Sequence, residues 1–228
     1  MSPVLAFDIY GTLIDPYSME AHLQSSFGNK AKEATALWRE KQIELSFRRA
    51  LMRKYVDFNI CTAQALDYVC HQFGAPLSAG DRQALLNCYL ALPPFPDTAP
   101  ALHKLSGRGY SLIAFSNGTE SAVRTLLQRA AVLDLFNAIV SVDDVKSFKP
   151  DPLVYEYLTA RCGAPKESVW LVSSNVFDVI GAKSYGLRTA WVQRDRSPIV
   201  DLPEFSPDLI VNGLTDLPAI LENADPCQ

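Results

Sequence analysis

No apolar run in this chain approaches the roughly 18 residues of a membrane span, and its start carries no basic stretch leading into an apolar one. Neither a spanning helix nor a signal segment is expected, and the reading is of a cytoplasmic protein. C-x-x-C spacing is missing too: Cys61, Cys70, Cys88, Cys162 and Cys227 form an odd, scattered set. That argues against a disulfide framework or a zinc site and leaves them as structural or incidental residues. Histidine is scarce, and His22, His71 and His103 have no supporting partners. There are no internal repeats or low-complexity tracts, and no basic patch. The 21 Lys and Arg are scattered among 25 Asp and Glu for a net charge of −4, so neither nucleic acid nor a membrane surface is an expected partner. Small neutral or anionic substrates remain open.

What is present is 48% hydrophobic residues in a chain of 228, enough for one core plus a substantial insertion. Residues 1–14 read as a strand, Pro3-Val4-Leu5-Ala6-Phe7, that ends in a turn. From Tyr17 to Leu92 the 3.6-residue period predicts helix after helix, over 19–27, 31–56, 62–73 and 79–90. Pro93-Pro94-Phe95-Pro96-Asp97 is a stiff connector. Strands and helices then alternate: Ser111–Phe115, helix Thr119–Ala130, Ala138–Val140, helix Pro152–Cys162, Val169–Val172, helix Val176–Tyr185, Thr189–Val192 and Leu209–Val211. Alternation of this kind builds a parallel sheet. The expected fold is α/β, a Rossmann-like core of residues 1–14 and 97–228 interrupted by a helical cap domain of residues 15–96.

Each core strand is followed by polar residues that its apolar pattern does not require. Asp8 and Thr12 follow the first, Ser116-Asn117-Gly118 the second, Lys149-Pro150 the third, and Ser173-Ser174-Asn175 with Asp178 the fourth. Right-handed crossovers bring these carboxyl ends to one sheet edge. Plainer roles stand beside each. Thr12 is also a turn hydroxyl, Ser116 a helix cap, and Asp178 an acid favoured in a first helical turn. On the first long cap helix Arg39, Ile43 and Phe47 fall at i, i+4 and i+8, so the arginine either reaches something specific or snorkels.

Taken in order, Phe7-Asp8-Ile9-Tyr10-Gly11-Thr12-Leu13, Leu37-Trp38-Arg39-Glu40-Lys41-Gln42 with the stretch 46–51, Ser116-Asn117-Gly118, Ser147-Phe148-Lys149-Pro150 and Ser173-Ser174-Asn175-Val176-Phe177-Asp178 resemble the haloacid dehalogenase superfamily. Within it, the chain is similar to the hydrolytic L-2-haloacid dehalogenases, from Pro3 to about Leu221. The superfamily's phosphatases carry a second aspartate where Tyr10 stands. A departing alkoxide needs a proton whereas a departing halide does not, so the missing acid favours carbon–halogen cleavage. Ser173 and Asn175 are neutral where phosphatases place acidic magnesium ligands, so no metal and no other cofactor is expected.

The resemblance implies that Asp8 attacks C2 of an (S)-2-haloalkanoic acid, forming an aspartyl ester that water cleaves to give the (R)-2-hydroxy acid. Lys149 is then expected to hold Asp8 ionised and aimed, and Thr12 to donate to it. Arg39 would receive the halide with Asn117 and the edge of Phe58, for which plain core packing is an equal alternative. Ser116 and the backbone at Tyr10 and Gly11 would anchor the substrate carboxylate, with Tyr155 donating to that group. Asp178 would polarise the water, directed by Ser173 and Asn175. Relatives often have tryptophan where this chain has Phe177, which bears on pocket shape, chain length and halogen, fluoroacetate included. The partners implied are the 2-haloacid and water, and a homodimer is compatible with the long cap helices. The rival readings are a haloacetate-preferring dehalogenase, a magnesium-dependent phosphatase of the same fold, and a catalytically silent binding protein.

Overall fold

The apolar runs of the core become six strands of one parallel sheet: β1 (Val4–Phe7), β2 (Ser111–Ser116), β3 (Ala138–Ser141), β4 (Val169–Ser173), β5 (Arg188–Val192) and β6 (Leu209–Val211). They are described, with the rest of residues 3–195 and 198–224, by a computed structural model. The strand order is β3-β2-β1-β4-β5-β6, every neighbouring pair parallel. That is a doubly wound sheet whose order reverses direction at β1. β1 is wholly buried and pairs Phe7 with Ala114 on one side and Val172 on the other. Burial on both faces is why its sequence is continuously apolar rather than alternating.

Between β1 and β2 lie five helices: α1 (Met19–Phe27), α2 (Ala31–Leu51), α3 (Phe58–Phe73), α4 (Ala79–Tyr89) and α5 (Thr98–Gly107). Two boundaries differ from those expected. α2 stops at Leu51 and not at residue 56, because Arg53 takes a left-handed backbone with φ 54°. α3 starts at Phe58, four residues early, because the Asp57 carboxylate caps the amides of Asn59 and Ile60. An N-cap of that type satisfies donors that the first turn cannot pair internally. α5, and α9 (Leu217–Ala224) at the end of the described chain, lie outside the helices that the sequence pattern predicts. The remaining helices, α6 (Glu120–Arg129), α7 (Pro152–Cys162) and α8 (Val176–Tyr185), connect successive strands.

α1–α4 are attached to the sheet through two segments that run side by side. Ile14 bridges antiparallel to Pro94, Asp15 N–H donates to Pro93 O at 2.9 Å, and Phe95 N–H donates to Leu13 O at 2.9 Å. From beyond β5, Arg194 reaches this junction, pairing with Asp97 at 2.9 and 3.0 Å and donating to Thr12 O at 2.8 Å. The chain therefore leaves and re-enters the core immediately above the carboxyl end of β1.

Cys61 is buried and Cys70, Cys88 and Cys162 half-buried, all four as free thiols; Cys227 lies outside the described residues. Burial pushes the Cys61 and Cys162 thiols up to about 11, which keeps them protonated and unreactive near neutrality. Among the described residues no helix is long and apolar enough to cross a membrane.

Candidate active site

Asp8 continues β1 by one ladder hydrogen bond, its N–H donating to Val172 O at 3.0 Å. Asp8 is buried, its side chain 9% exposed, and a buried charge must be satisfied by donors. Three converge on it from three different segments. Lys149 Nζ stands 3.1 Å from Oδ1, while Thr12 Oγ1 and Asn175 Nδ2 stand 2.8 and 2.7 Å from Oδ2. Thr12 Oγ1 itself accepts the Ser174 N–H at 2.8 Å, which leaves its own proton for Asp8. Asn175 spends its second amide proton on Tyr10 O at 3.0 Å.

Lys149 is 1% exposed, and its ammonium donates at 3.1 Å to Asp8, 2.7 Å to Asp178 and 3.0 Å to Phe115 O. All three of its protons are accounted for. Asn117 Oδ1 holds the Lys149 backbone N–H at 3.0 Å. Asp178 is fully buried in the first turn of α8, where Tyr155 Oη donates to its Oδ1 at 2.8 Å. Burial pushes the Asp178 carboxyl up, Lys149 pulls it down, and Asp8 pushes it up again. One ammonium thus serves two carboxylates.

Gly181, on the next turn of α8, makes this approach possible. A Cβ there would lie 2.5 Å from Pro150 Cβ and 2.6 Å from Tyr155 Oη. The constraint is close approach of neighbouring chains, not an unusual backbone angle.

Arg39 comes down from α2 and is 7% exposed. It donates to Gln42 Oε1 at 2.7 Å, Tyr10 O at 3.0 Å and Asn175 Oδ1 at 3.3 Å. These acceptors are all neutral, and none of the ion pairs among the described residues includes Arg39. A buried cation with only neutral partners has its charge solvated but not cancelled, which leaves it able to attract an anion. Asn117 Nδ2 and the Tyr10 N–H, which have no acceptor among the described residues, are further donors on the same side of the sheet.

Several expected roles take a different geometry. The Gly11 N–H is not a free anchor for a carboxylate, because the turn spends it on Ile14 O at 2.8 Å. Gly11 adopts φ 93°, which a side chain resists. Tyr155 lies behind Asp178 and not with Ser116. Ser173 is buried and its Oγ accepts the Asn175 N–H at 3.1 Å, so it shapes the turn before α8. Ser116 Oγ likewise accepts the Gly118 N–H at 3.0 Å, with its proton left over.

The Tyr10 ring is buried, 5.7 Å from the Phe58 ring and 5.9 Å from Tyr89, and burial raises its phenol well above the ordinary value. Phe58 also meets Phe148 at 6.0 Å, and Phe177 meets Phe47 of α2 edge-on at 5.1 Å. Of Gln42, Thr62 and Tyr89, which hold Arg39 from behind, only Gln42 carries a signal in the sequence, its place in the 37–42 motif three residues after Arg39.

A family model described as haloacid dehalogenase-like hydrolase matches residues 3–186. The (S)-2-haloacid dehalogenase of Pseudomonas sp. (strain YL) is 35% identical over 220 residues, 96% of this chain and 94% of that protein. Haloacetate dehalogenase H-2 of Moraxella sp. (strain B) is 38% identical over 190 residues, 83% of this chain and 85% of the relative. Among solved structures, an L-2-haloacid dehalogenase from Xanthobacter autotrophicus superposes with a TM-score of 0.88 at 32% identity, covering 97% of this chain and 99% of that one.

Proposed function

The chain belongs to the haloacid dehalogenase-like hydrolases, and from that premise we propose that it hydrolyses short (S)-2-haloalkanoic acids to (R)-2-hydroxyalkanoic acids through an ester on Asp8, without a metal. The observation that carries this reading is the chemistry of Tyr10. Two residues after the nucleophile, where a general acid would protonate a departing alkoxide, stands a buried tyrosine packed against Phe58 and Tyr89, and burial raises its phenol so far that it is too weak an acid for that task. The group that Asp8 itself displaces therefore departs without a proton. Halide does so readily; alkoxide does not.

The steps follow from the positions of the donors. Lys149, Thr12 and Asn175 hold the Asp8 carboxylate so that one oxygen faces C2 of the substrate, with the halogen on the opposite side. Attack inverts C2, forms the C–O bond of the ester and releases halide, which Arg39 and Asn117 receive. Ser116 and the Tyr10 N–H bind the substrate carboxylate. Esterification removes the charge from Asp8, so Lys149 is left to Asp178 alone. Asp178, its carboxyl raised by burial, takes a proton from water, which adds to the Asp8 ester carbonyl. The tetrahedral adduct then collapses: the C2–O alkoxide leaves with the proton from Asp178 as the hydroxy acid, and the Asp8 carboxylic acid so formed loses its proton to solvent, restoring both carboxylates.

Metal independence is supported by the donor set: Lys149 takes one oxygen of Asp8 and of Asp178, while Asn175 Nδ2 donates to the other Asp8 oxygen and, with Arg39 Nη2, to Tyr10 O, so N–H donors stand where a metal needs oxygen ligands. The similarity to a haloacetate dehalogenase favours a second substrate reading within the same chemistry.

The test is halide release from (S)-2-chloropropionate with and without chelator, beside Asp8→Asn. Turnover by the wild type in chelator, loss in the variant and an R product are expected. Chelator-sensitive turnover, or an active Asp8→Asn, refutes the mechanism. Single turnover in heavy-oxygen water separates the routes, since the ester route places label in Asp8 while direct hydrolysis places it in product. Parallel assays with chloroacetate and fluoroacetate rank the two substrate readings.

A further inference from the structure

We propose that Gln42 is a positioning residue that fixes the orientation in which Arg39 meets the departing halide. The proposal rests on the reading of Arg39 as halide receiver. Gln42 is fully buried on α2, one turn beyond Arg39. Its Oε1 accepts from Arg39 Nη1 at 2.7 Å and from Tyr89 Oη at 2.8 Å, and its Nε2 donates to Thr62 Oγ1 at 2.5 Å.

The polarity of this chain is determined at its far end. Thr62 Oγ1 donates to Phe58 O at 2.8 Å, a backbone carbonyl that can only accept. The Thr62 hydroxyl must therefore accept from Gln42, and the Gln42 amide must present nitrogen to Thr62 and oxygen to Arg39. A flipped amide would set its NH2 group against the Arg39 guanidinium, donor against donor, and its oxygen against a Thr62 hydroxyl whose proton is already committed to Phe58 O. Tyr89 Oη donates to the same Gln42 oxygen at 2.8 Å, and burial raises its phenol, so the proton for that bond is retained.

Arg39 is thereby gripped by Nη1 from the α2 side and by Nη2 from Tyr10 O and Asn175 Oδ1 on the sheet side. Clamping both terminal nitrogens sets the plane of the guanidinium and leaves part of its five-donor fork uncommitted. The relay is neutral throughout, so the cation is oriented without being cancelled. An acid in place of Gln42 would orient it and neutralise it together.

The experiment compares Gln42→Leu, Gln42→Met, Thr62→Val and Arg39→Gln with wild type. It measures kcat and KM for (S)-2-chloropropionate, inhibition by sodium bromide, and the bromide-dependent rise in Tm. A hydrogen bond to a charged group is worth enough that Gln42→Leu should weaken bromide inhibition and lower kcat by about tenfold each, with KM within about threefold. Gln42→Met, closest in length, serves if the leucine variant does not fold. Thr62→Val, which frees the amide to flip, should give a smaller change in the same direction.

Kinetics and bromide response within twofold of wild type in a folded Gln42 variant, with Arg39→Gln impaired, overturn the relay alone. So does a change confined to KM, which a packing role would produce. Arg39→Gln with bromide inhibition intact, or a wild type indifferent to bromide, overturns the halide reading and the relay with it.

Discussion

Replacing Lys149 with methionine tests the shared ammonium at the centre of the site. Methionine retains most of the apolar stem but deletes a charge and three donors, to Asp8 at 3.1 Å, Asp178 at 2.7 Å and Phe115 O at 3.0 Å. Two carboxylates, on side chains 9% and 0% exposed, then face one another without a counter-charge. Breaking one partner out of a buried charge cluster costs roughly 3–5 kcal/mol. That is a large part of a typical domain stability of about 5–15 kcal/mol.

The pH dependence identifies the cause. Burial already raises the folded-state Asp178 carboxyl above its ordinary value, with Lys149 opposing. A carboxyl raised on folding favours the folded state while protonated, so its contribution is full below the unfolded-state value and is lost as pH climbs through the raised one. Without Lys149 that loss deepens. The stability gap between Lys149→Met and wild type should therefore be small near pH 4.5 and widen to ~3–5 kcal/mol at pH 8. Urea unfolding at several pH values, with equal m-values, measures it. A gap below ~1 kcal/mol at pH 8, or one that narrows as pH rises, refutes the shared-ammonium account.

Gly181→Ala should destabilise by ~1–3 kcal/mol through overpacking against Pro150 and Tyr155. It should also lower kcat, read by thermal melts beside turnover, because Tyr155 must withdraw from Asp178. Thr12→Val removes the donor to Asp8 and the acceptor of the Ser174 N–H, and steady-state assays should show kcat down by about tenfold with KM little changed. Tyr55→Phe removes the 2.8 Å bond from Tyr55 Oη to Asp143, which ties the α2–α3 connection to the segment after β3. A loss of ~0.5–1.5 kcal/mol in urea unfolding is expected, with turnover preserved.

The fold was legible wherever burial imposes a period. β1, β2, β4 and β5 are apolar runs because both sheet faces are covered, α7 is delimited by Asp151 and Gly163, and α8 ends at Gly186, caps that the sequence displays. The sequence overextends α2 because its helical spacing continues past Leu51, whereas the Arg53 conformation that ends it has no residue-type signature. α5 is hidden because a ten-residue helix with Pro100 inside its first turn looks like a continuation of the proline connector. Proline in a first turn costs no hydrogen bond, so that composition was ambiguous between the two.

The site divides along a similar line. Asp8, Lys149 and Asn175 could be gathered from topology alone, since parallel order brings their strand ends together, and α8 carries Asp178 to the same edge. What topology does not specify is the direction of each hydrogen bond. Gly11 appeared free to bind an anion, yet a turn that closes on Ile14 consumes its N–H. Tyr155 had a correct neighbourhood but reaches Asp178 only because Gly181 leaves room.

Gln42 was visible as a letter in a motif, while its task depends on Thr62, 20 residues away on another helix. Donor and acceptor assignments of this kind propagate from groups that have no choice, such as the Phe58 carbonyl. Residue identity at one position therefore fixes the chemistry available there, and the chain of obligatory donors behind it decides which way that chemistry points.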